Sequence, residues 1–477
     1  MKSSTPQRPR AARLPRAARL AVVCAAGLTI AQAASAQANA ARIAPVMNQT
    51  FGNYCGQGGG EGNNSCAVFF NLGALTPAEQ LSALAQFAPD KFVAFSASSF
   101  GSTGAQFSVV GDRLSELRDD NLGAGLFGGG QTQSLDLLGG GKGGKAYSLR
   151  SADAQEGGGT PAVNGGGGGT AADAGQAAAP AGAIAPGALG LYARLHGQGD
   201  TSRPTSYDPG FRSLASGLTL GADYLVAPNV VLGASTSYDN SRSRLSAGPG
   251  GAGGGELRSR VAGLALYGAW YPTQASYVDA TLTYGSSNYD STRRIFIVGP
   301  PVDLIDTMTG STSGHQSGAS LGGGYNFLSG HTNCGPYARL TYSRSTISAF
   351  AELPTQSGSE LTVNGQAASS LASTIGGQAS YAVSQTWGVL VPNARLEWEH
   401  QYKQDRSRSI VAAFTADTTK TPAVIDTTPP DRNYFNLGLG LAAHFGVGRS
   451  AYIYYQAVLG KAAQTSNAVT AEVRLEF

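Results

Sequence analysis

The pentapeptide at residues 318–322, GASLG, matches the G-x-S-x-G pattern that surrounds the nucleophilic serine of many hydrolases. In those enzymes the serine occupies a sharp turn between a strand and a helix, and an acid and a histidine follow in a fixed order. Here the pattern lies in the middle of a long Gly/Ser-rich stretch, GHQSGASLGGGYNF, with no sign of such a turn. We therefore predict that Ser320 is a structural residue on a strand.

Two other patterns could bind a cofactor or a metal. The sequence GLGLAA at residues 438–443 resembles a dinucleotide fingerprint, but the surrounding alternation continues through it and no helix follows. The five histidines (196, 315, 331, 400 and 444) lack the close spacing of metal ligands. Since residues 37–122 contain no histidine, they hold no Ser/His/Asp set. We predict no enzyme activity, no cofactor and no metal.

Cysteines give the clearest covalent prediction. Cys55 and Cys66 enclose a Gly/Asn-rich loop that can close on itself, and a metal site would need further ligands nearby. In an exported chain this spacing predicts a disulfide. Cys24 lies in the N-terminal apolar run, and Cys334 is then predicted to be a lone thiol in a turn.

The composition excludes several classes of protein. Charged residues make up 13% of the 477-residue chain, about half the usual share, and 67 residues are glycine. No stretch after residue 40 approaches the ~20 apolar residues of a membrane-spanning helix. The net charge of +3 is too small and too dispersed to indicate nucleic-acid binding. Low charge, many glycines and 20 tyrosines favour a protein of alternating strands.

The N-terminus has the three parts of a secretory signal peptide. Six basic residues and no acid precede Leu20, an apolar run extends to Ile30, and the small residues 34–36 form a cleavage box. We predict that residues 1–36 are removed after Ala36, and that the general secretion pathway exports the rest.

The exported chain divides into three zones. Residues 37–122 contain a helix that starts at Thr76-Pro77 and a second amphipathic pattern from Phe107 to Arg118. Residues 123–187 hold 21 glycines in 65 positions and are predicted to be a disordered linker. We expected this linker to isolate residues 37–122 from residues 188–477.

Residues 188–477 alternate with period two, which predicts strands. In the last segment Val469, Ala471, Val473, Leu475 and Phe477 share one face, and charged or polar residues share the other. About twelve such strands are centred near residues 193, 220, 235, 264, 281, 320, 341, 376, 395, 440, 454 and 471. A soluble β-sandwich would also alternate in this way.

The links between the strands favour a barrel over a sandwich, because they alternate in length. The long links are 198–212, 240–256, 290–312, 350–368 and 404–431. The short links are 227–229, 272–274, 329–333, 384–386 and 446–449, and the final link near 460–466 is an exception because it is also short. An even-numbered transmembrane barrel with tight periplasmic turns and large outside loops has this parity. Aromatic residues near strand ends would form its interfacial girdles: Trp270, Tyr271, Trp387, Tyr402 and Phe445.

Charged residues on the polar strand faces are then predicted to point into the barrel, because charge on the lipid face costs about 2–4 kcal/mol near the midplane. These residues are Arg194, Asp223, Arg339, Arg395, Glu397, Glu399, Glu472 and Arg474. They would form a structural salt-bridge network or, alternatively, a hydrophilic track that holds the linker during translocation.

Several motifs carry a resemblance to a known family: LYAR at 191–194, LGADY at 220–224, PNARLEWEH at 392–400, VRLEF at 473–477, and the helical residues 71–118. In their order along the chain, these motifs resemble those of the bacterial autotransporters (type V secretion) with their C-terminal translocator domain. The resemblance implies an all-β fold, a twelve-stranded antiparallel barrel whose pore is occupied by the preceding segment. It also implies that Val473, Leu475 and Phe477 form the signal that the barrel assembly machinery reads.

Three functions remain open at this point. The first is an outer-membrane autotransporter, a monomer in Gram-negative outer-membrane lipid, that exports its own short segment. The second is a porin-like channel. The third is a surface adhesin that acts through the barrel loops or residues 37–67. The helix and linker before the barrel favour the first.

Overall fold

The computed structural model describes residues 16–60, 62–126, 189–247, 253–299, 303–405, 409–445 and 449–476. The predicted linker lies almost entirely outside these residues, as does Phe477. The N-terminal part is helical, and everything described from residue 189 onward is dominated by strands.

The N-terminal part contains four helices: α1 (Arg16–Gly56), α2 (Asn64–Phe70), α3 (Pro77–Phe87) and α4 (Val93–Leu126). Short 3-10 turns at Leu72–Ala74 and Pro89–Phe92 join them. The predicted helix start is confirmed, since Thr76 and Glu79 form a reciprocal capping box at the start of α3. Helix α1 runs through the predicted cleavage point at Ala36, and α4 ends four residues beyond the predicted boundary at 122. No described helix has both the length and the hydropathy to cross a bilayer.

Eighteen strands follow within the described residues. They are β1 (Leu189–Ser202), β2 (Phe211–Ala227), β3 (Val230–Leu245), β4 (Gly255–Trp270), β5 (Ser276–Ile297), β6 (Leu304–Tyr325), β7 (Phe327–Ser329), β8 (Thr332–Ile347), β9 (Phe350–Ala351), β10 (Leu361–Val363), β11 (Gln366–Tyr381), β12 (Val383–Gln385), β13 (Gly388–Asp405), β14 (Ser409–Phe414), β15 (Ala423–Asp426), β16 (Asn433–Phe445), β17 (Arg449–Leu459) and β18 (Gln464–Glu476).

Twelve long strands close into one antiparallel barrel, which confirms the predicted fold class. Their order is β1-β2-β3-β4-β5-β6-β8-β11-β13-β16-β17-β18, and β18 pairs back onto β1 from Gly190↔Glu476 to Ser202↔Gln464. Each of the twelve predicted strand centres falls within one of these strands. Closure matters physically, because it leaves no unpaired sheet edge in hydrocarbon.

The two faces of the wall have the polarity of a membrane barrel. On β4, Leu264 and Leu266 point outward and are each 61% exposed, whereas Ala265 between them is 5% exposed. On β3 the inward positions are polar and buried: Ser235, Ser237, Asp239, Ser241 and Ser243. A soluble sandwich buries its apolar face, so this inverted pattern excludes the sandwich interpretation.

The connections keep the predicted parity but are more ordered than expected. The 290–312 link is mostly strand, since β5 extends to Ile297 and β6 begins at Leu304. The long links around residues 350–368 and 404–431 contribute a second sheet, in the order β15-β14-β10-β9. Residues 446–448, in a predicted short turn, lie outside the described residues. We call the two ends of the barrel the long-loop end and the short-turn end.

A single apolar core joins the N-terminal helices to the long-loop end. Phe51 of α1 and Phe87 of α3 pack with Phe414 of β14, and Phe92 packs with Phe350. We call this assembly of residues 37–92 with strands β9, β10, β14 and β15 the cap. The expectation that the linker isolates the N-terminal zone from the barrel is therefore wrong, because both zones bury their apolar residues in one core.

Candidate functional site

Helix α4 occupies the barrel lumen and runs along it. Near its start, Ser98 Oγ lies 3.0 Å from Ser241 Oγ of β3, towards the long-loop end. Further on, Gln106 donates to Ser237 Oγ at 3.2 Å, and Arg118 lies 3.4 Å from Asp279, close to the short-turn end. A helix of 34 residues is about 50 Å long, enough to pass through the barrel.

The wall makes room for the helix through glycines at inward positions. A Cβ at Gly263 would lie 1.9 Å from Gln106 Nε2, and a Cβ at Gly318 would lie 2.5 Å from Phe107 Cζ. A cavity of only about 10 Å³, large enough for about one water, lies beside the helix and is lined by Gln106 and Val110. Helix and wall are therefore closely packed here.

Charged side chains hold the half of α4 that lies towards the short-turn end. Arg113 donates to both carboxylate oxygens of Asp223, with Nε–Oδ2 at 2.8 Å and Nη2–Oδ1 at 3.0 Å. Its Nη1 also lies 3.2 Å from Glu116 and 3.7 Å from Glu472. Such a bidentate pair sets both the depth and the rotation of the helix.

Arg194 of β1 is the second centre of the cluster. It is fully buried and is ion-paired with Glu472 of the neighbouring strand β18. Its Nη2 lies 2.6 Å from Glu116 of the helix, and its Nη1 donates to the Val109 carbonyl at 2.7 Å. This arginine therefore joins the strand pair that closes the barrel to the helix inside it.

A third contact lies across the lumen. Arg395 of β13 lies 2.6 Å from Asp112 Oδ1 of the helix and 3.7 Å from Glu397. Glu397 in turn accepts a hydrogen bond from the Tyr337 hydroxyl at 2.6 Å. The guanidinium of Arg339 lies against the backbone of the helix at Gly111. We call Asp112, Arg113, Glu116, Arg194, Asp223, Arg395 and Glu472 the lumen cluster.

The remaining predicted lumen residues have other contacts. Arg474 lies 4.0 Å from Asp223 and so touches the edge of the lumen cluster. Glu399 does not reach the helix within the described contacts, and it accepts hydrogen bonds from Gln401 and Tyr434. The structure thus brings seven of the eight predicted residues into contact with the helix or its direct partners, and Glu399 lies further out.

The sequence patterns did not reveal the partners on the helix or the aromatic residues beside the cluster. Asp279, on the inward face of β5, could have been found by the same alternation. Inward tyrosines lie under the guanidinium groups, with Arg118 4.0 Å from the ring of Tyr277 and Arg395 5.1 Å from that of Tyr454. Such cation–π contacts strengthen when water is excluded.

The comparison with known families decides the identity. The profile described as "Autotransporter beta-domain" matches residues 191–456, more than half of the chain. The chain belongs to this family. It therefore contains an outer-membrane translocator barrel.

Individual relatives of this autotransporter barrel are distant. The translocator domain of NalP from Neisseria meningitidis is 17% identical with a TM-score of 0.46, covering 60% of this chain and 88% of that one. The β-domain of BrkA from Bordetella is 20% identical with a TM-score of 0.43, covering 61% and 100%. Among curated proteins, Lipase 1 of Photorhabdus luminescens is 24% identical over 229 residues, 47% of this chain. The match spans only a third of that lipase (33%).

The other predicted sites of this autotransporter barrel lie on its surface and in the cap. Cys55 and Cys66 form the predicted disulfide, with a Cα–Cα distance of 5.6 Å, and both are buried in the cap core. Cys334 is a free thiol, but it lies in strand β8 and not in a turn. Val473 and Leu475 of the terminal strand point outward and are exposed.

The predictions for Ser320 and for the aromatic girdles have different outcomes. Ser320 lies inside β6, paired with β5 and β8, and shares a hydrogen bond with Thr341, so no strand-turn-helix elbow surrounds it. Of the five aromatic residues predicted for the girdles, Tyr271 is buried, so that prediction is wrong for this residue. The other four, Trp270, Trp387, Tyr402 and Phe445, are exposed.

Polar contacts bind the cap to the barrel rim. Arg293 of β5 forms a buried, bidentate pair with Glu352 and donates to the Gln86 carbonyl of α3 at 3.2 Å. Next to it, burial raises the pKa of Asp90 and lowers the pKa of Lys91, because loss of water disfavours the charged form of each. The N-terminal segment therefore contacts the rim through both apolar and charged groups.

Proposed function

We propose that this chain is an outer-membrane autotransporter whose barrel exports its own N-terminal segment, and that it keeps this segment as the cap on the cell surface. The general secretion pathway would deliver the chain to the periplasm, and the barrel assembly machinery would insert it as a monomer. The observation that carries the proposal is the path of α4 through the lumen, with the cap at one end and strand β1 starting at the other.

The direction of the chain supports export. The helix starts at Val93 in the cap core and passes Arg118 near the short-turn end, and β1 begins at Leu189 at that same end. In the orientation with long loops outside, residues 37–92 lie beyond the outer leaflet although they precede the barrel in the chain. A segment reaches that place most directly through the lumen.

The filled lumen disfavours an open porin. The described helix contacts Asp223 and Glu472 on one side of the wall and Arg395 on the other. Its charged groups thus pair with inward-facing residues of the wall that would otherwise line a water path. We expect purified full-length protein to show little conductance in planar bilayers. A steady, open-channel conductance would instead support the porin function.

A disulfide cross-link tests the position of the helix. Ser98→Cys and Ser241→Cys replace two hydroxyl groups that lie 3.0 Å apart, one on the helix and one on the inner wall. The background carries Cys334→Ser, and a protease site is inserted at residue 150. After cleavage at that site, the N-terminal fragment should stay attached to the barrel on a non-reducing denaturing gel and separate under reducing conditions.

The matched control moves one cysteine by one residue. Asn240→Cys replaces Ser241→Cys, and its side chain points outward, so it should not cross-link to Ser98→Cys. Equal cross-linking in both pairs would mean that the helix is not held in the lumen as described. Absence of cross-linking in the Ser98→Cys and Ser241→Cys pair would contradict the proposal directly.

Surface labelling tests the location of the cap. Gly73 is exposed, and an added Cβ would meet no atom within 4 Å, so Gly73→Cys should be tolerated. A membrane-impermeant maleimide should label it on intact cells. Asn229→Cys, in the short turn after β2, should be labelled only after the outer membrane is permeabilised. The reverse result would invert the topology.

A surface adhesin is the second candidate, because the β5–β6 hairpin exposes apolar residues above the lipid-facing zone. Phe296 and Ile305 face each other across the hairpin and are both at least half exposed, as is Val298. Exposed apolar groups of this kind often mark contact sites. Binding of intact bacteria to host cells that is lost in a Phe296→Ser, Ile305→Ser variant with normal barrel levels would favour this function.

We also propose that this chain is not an enzyme, and in particular that Ser320 is not a nucleophile. The name of the Photorhabdus relative makes esterase activity the appropriate assay. Purified protein should not hydrolyse short p-nitrophenyl esters above the level of a Ser320→Ala variant. Turnover that disappears with Ser320→Ala would contradict this proposal.

A further inference from the structure

Five arginines project from the outer surface of the barrel near its long-loop end, on three adjacent strands. They are Arg212 of β2, Arg242 and Arg244 of β3, and Arg258 and Arg260 of β4. All five are exposed, and the side chains of Arg242, Arg258 and Arg260 are 50%, 61% and 51% accessible. We call these five residues the arginine patch.

Strand pairing places like charges side by side in this patch. Arg212 lies directly opposite Arg244, and Arg242 lies directly opposite Arg258. Like charges at directly opposed positions of an antiparallel pair destabilise the sheet. The arrangement is therefore unfavourable for the barrel alone, and an anion between the guanidinium groups would relieve it.

The acidic neighbours neutralise only part of the patch. Glu256 contacts Arg242 and Arg258, and Asp290 contacts Arg260. Five arginines minus these two carboxylates leave a net charge of +3. Within the part of the chain that the structure describes, the side chains of Arg212 and Arg244 make no hydrogen bond and no ion pair.

The position of the patch along the strands indicates what it meets. Towards the short-turn end, the same outward faces carry Leu218, Tyr238, Leu264 and Leu266, all exposed, which form the lipid-facing band. On β3 and β4 the arginines begin two outward positions beyond Tyr238 and Leu264. On β2, Arg212 lies one outward position beyond the exposed Leu214. The arginines therefore lie at the level of lipid headgroups and not of acyl chains.

We propose that the arginine patch is a binding site for phosphate-bearing lipid headgroups of the leaflet at the long-loop end. Arginine binds phosphate oxygens through two parallel N–H donors, and its weak hydration suits a membrane interface. Which leaflet this is rests on the proposed orientation of the barrel. The site itself rests on the register and exposure of the arginines.

Space for a headgroup larger than phosphate lies next to the patch. A cleft between α1 and the rim of the barrel has Arg212 and Arg203 among its lining residues. Its α1 side includes residues 32–36, and the predicted cleavage after Ala36 would open the cleft further. Thr201 and Ser202 add hydroxyl groups to the same lining. These groups are suited to hydrogen bonds with a sugar that carries the phosphate.

The test compares the binding of two lipids to the unmodified protein, to a double variant and to a control variant. Full-length protein in a neutral detergent is titrated with bis-phosphorylated lipid A and, separately, with lipid A from which both phosphates have been removed, and bound lipid is counted by native mass spectrometry. The variant is Arg212→Ser with Arg244→Ser, since neither side chain has a hydrogen-bond or ion-pair partner among the described residues. Arg344→Ser is the matched control, because Arg344 is exposed on the outer face of β8, away from the patch.

We expect the double variant to bind bis-phosphorylated lipid A about 25-fold more weakly, since each arginine near an anionic membrane surface is worth about fivefold in affinity, or ~1 kcal/mol. The control should bind like the unmodified protein, and lipid A without phosphates should bind weakly to all three. The double variant should still fold, because its removal of opposed charges relieves repulsion; gel mobility before and after heating checks this.

Three results would overturn the proposal: equal affinity of the folded double variant, equal loss in the Arg344→Ser control, or tight binding of lipid A that lacks phosphates. Lysine variants sharpen the result, because Arg212→Lys with Arg244→Lys keeps the charge and loses the paired donors. Maleimide labelling at Gly73→Cys tests the orientation separately, so a wrong topology and a wrong lipid site give different outcomes.

Discussion

Replacement of Arg194 by methionine should destabilise the barrel more than any single change on its outer surface. Arg194 is fully buried and bridges Glu472 on β18 to Glu116 on the helix, while its own strand β1 closes the barrel. Removal of one partner from a buried ion pair costs about 3–5 kcal/mol, because a charge stays buried without compensation. Arg113 remains 3.2 Å from Glu116 and 3.7 Å from Glu472, so we expect the lower end of that range.

The measurement is a guanidinium titration of the purified barrel in detergent. The folded fraction is read from the gel mobility of unheated samples, and linear extrapolation gives the free energy of unfolding. Arg194→Met keeps a side chain of similar length, so lost packing contributes little. Arg344→Met provides the control, since it makes the same replacement at an exposed site and should change the free energy by less than ~0.5 kcal/mol.

A double-mutant cycle distinguishes an ion pair from a general packing effect. Glu472→Gln removes the opposite charge, and the double variant Arg194→Met, Glu472→Gln leaves neither charge without its partner. We expect the double variant to lose less stability than the sum of the single variants, with a coupling of roughly 1–3 kcal/mol. Additive losses would refute the reasoning, because they would mean that Arg194 and Glu472 do not stabilise each other.

Three further predictions concern the helix in the lumen, the disulfide of the cap and the C-terminus. Gly263→Leu should expel or displace the helix, because even a Cβ would lie 1.9 Å from Gln106 Nε2; planar-bilayer conductance should then rise above that of the unmodified protein. Cys55→Ser should destabilise the cap by about 3 kcal/mol, the value for a loop closed by residues 11 apart, and protease should then cleave the cap on intact cells while the barrel stays folded. Deletion of Phe477 should prevent insertion into the outer membrane, whereas Phe477→Tyr should be tolerated because the aromatic ring is kept.

Each of these has its own control. Ala262→Leu enlarges a residue that points to lipid next to Gly263, so it should leave conductance unchanged. For the disulfide, equal protease sensitivity with and without reductant would contradict the stabilising role of Cys55. For the C-terminus, a heat-modifiable barrel at normal levels without Phe477 would show that another segment carries the assembly signal.

Strand positions and inward charges followed from the sequence because both depend on one local rule. Successive side chains of a strand point to opposite faces, and charge is costly in lipid, so a period of two assigns Arg194, Glu472 and Glu397 to the lumen without knowledge of any contact. The Cys55–Cys66 disulfide could also be predicted from the local sequence, because only eleven positions separate the two residues.

Contacts between distant segments could not be predicted in this way. The pairing of Arg113 with Asp223 joins residues 110 positions apart, and the alternation of β2 does not specify which group on which helix meets Asp223. The girdle prediction failed for Tyr271 because it used only the position at a strand end. Tyr271 continues the inward positions Tyr267 and Ala269, whereas its neighbour Trp270 faces outward. The long links looked irregular, since strands as short as β9 and β10 have too few residues for a visible period.

The cap core couples the folding of the N-terminal segment to its position at the long-loop end of the barrel. Phe51, Phe87 and Phe92 come from the N-terminal segment, but they bury their rings against Phe414 and Phe350 of the barrel loops. Phe51 also packs on Phe69 and Phe87 within the N-terminal segment, but Phe414 adds the barrel loops to the same core, and burial of a phenylalanine is worth about 1.5–3 kcal/mol. The cap is therefore more stable where the segment meets the long-loop end. Because α4 connects that place to the other end of the barrel, the free energy of cap formation favours this position of the segment over one at the short-turn end.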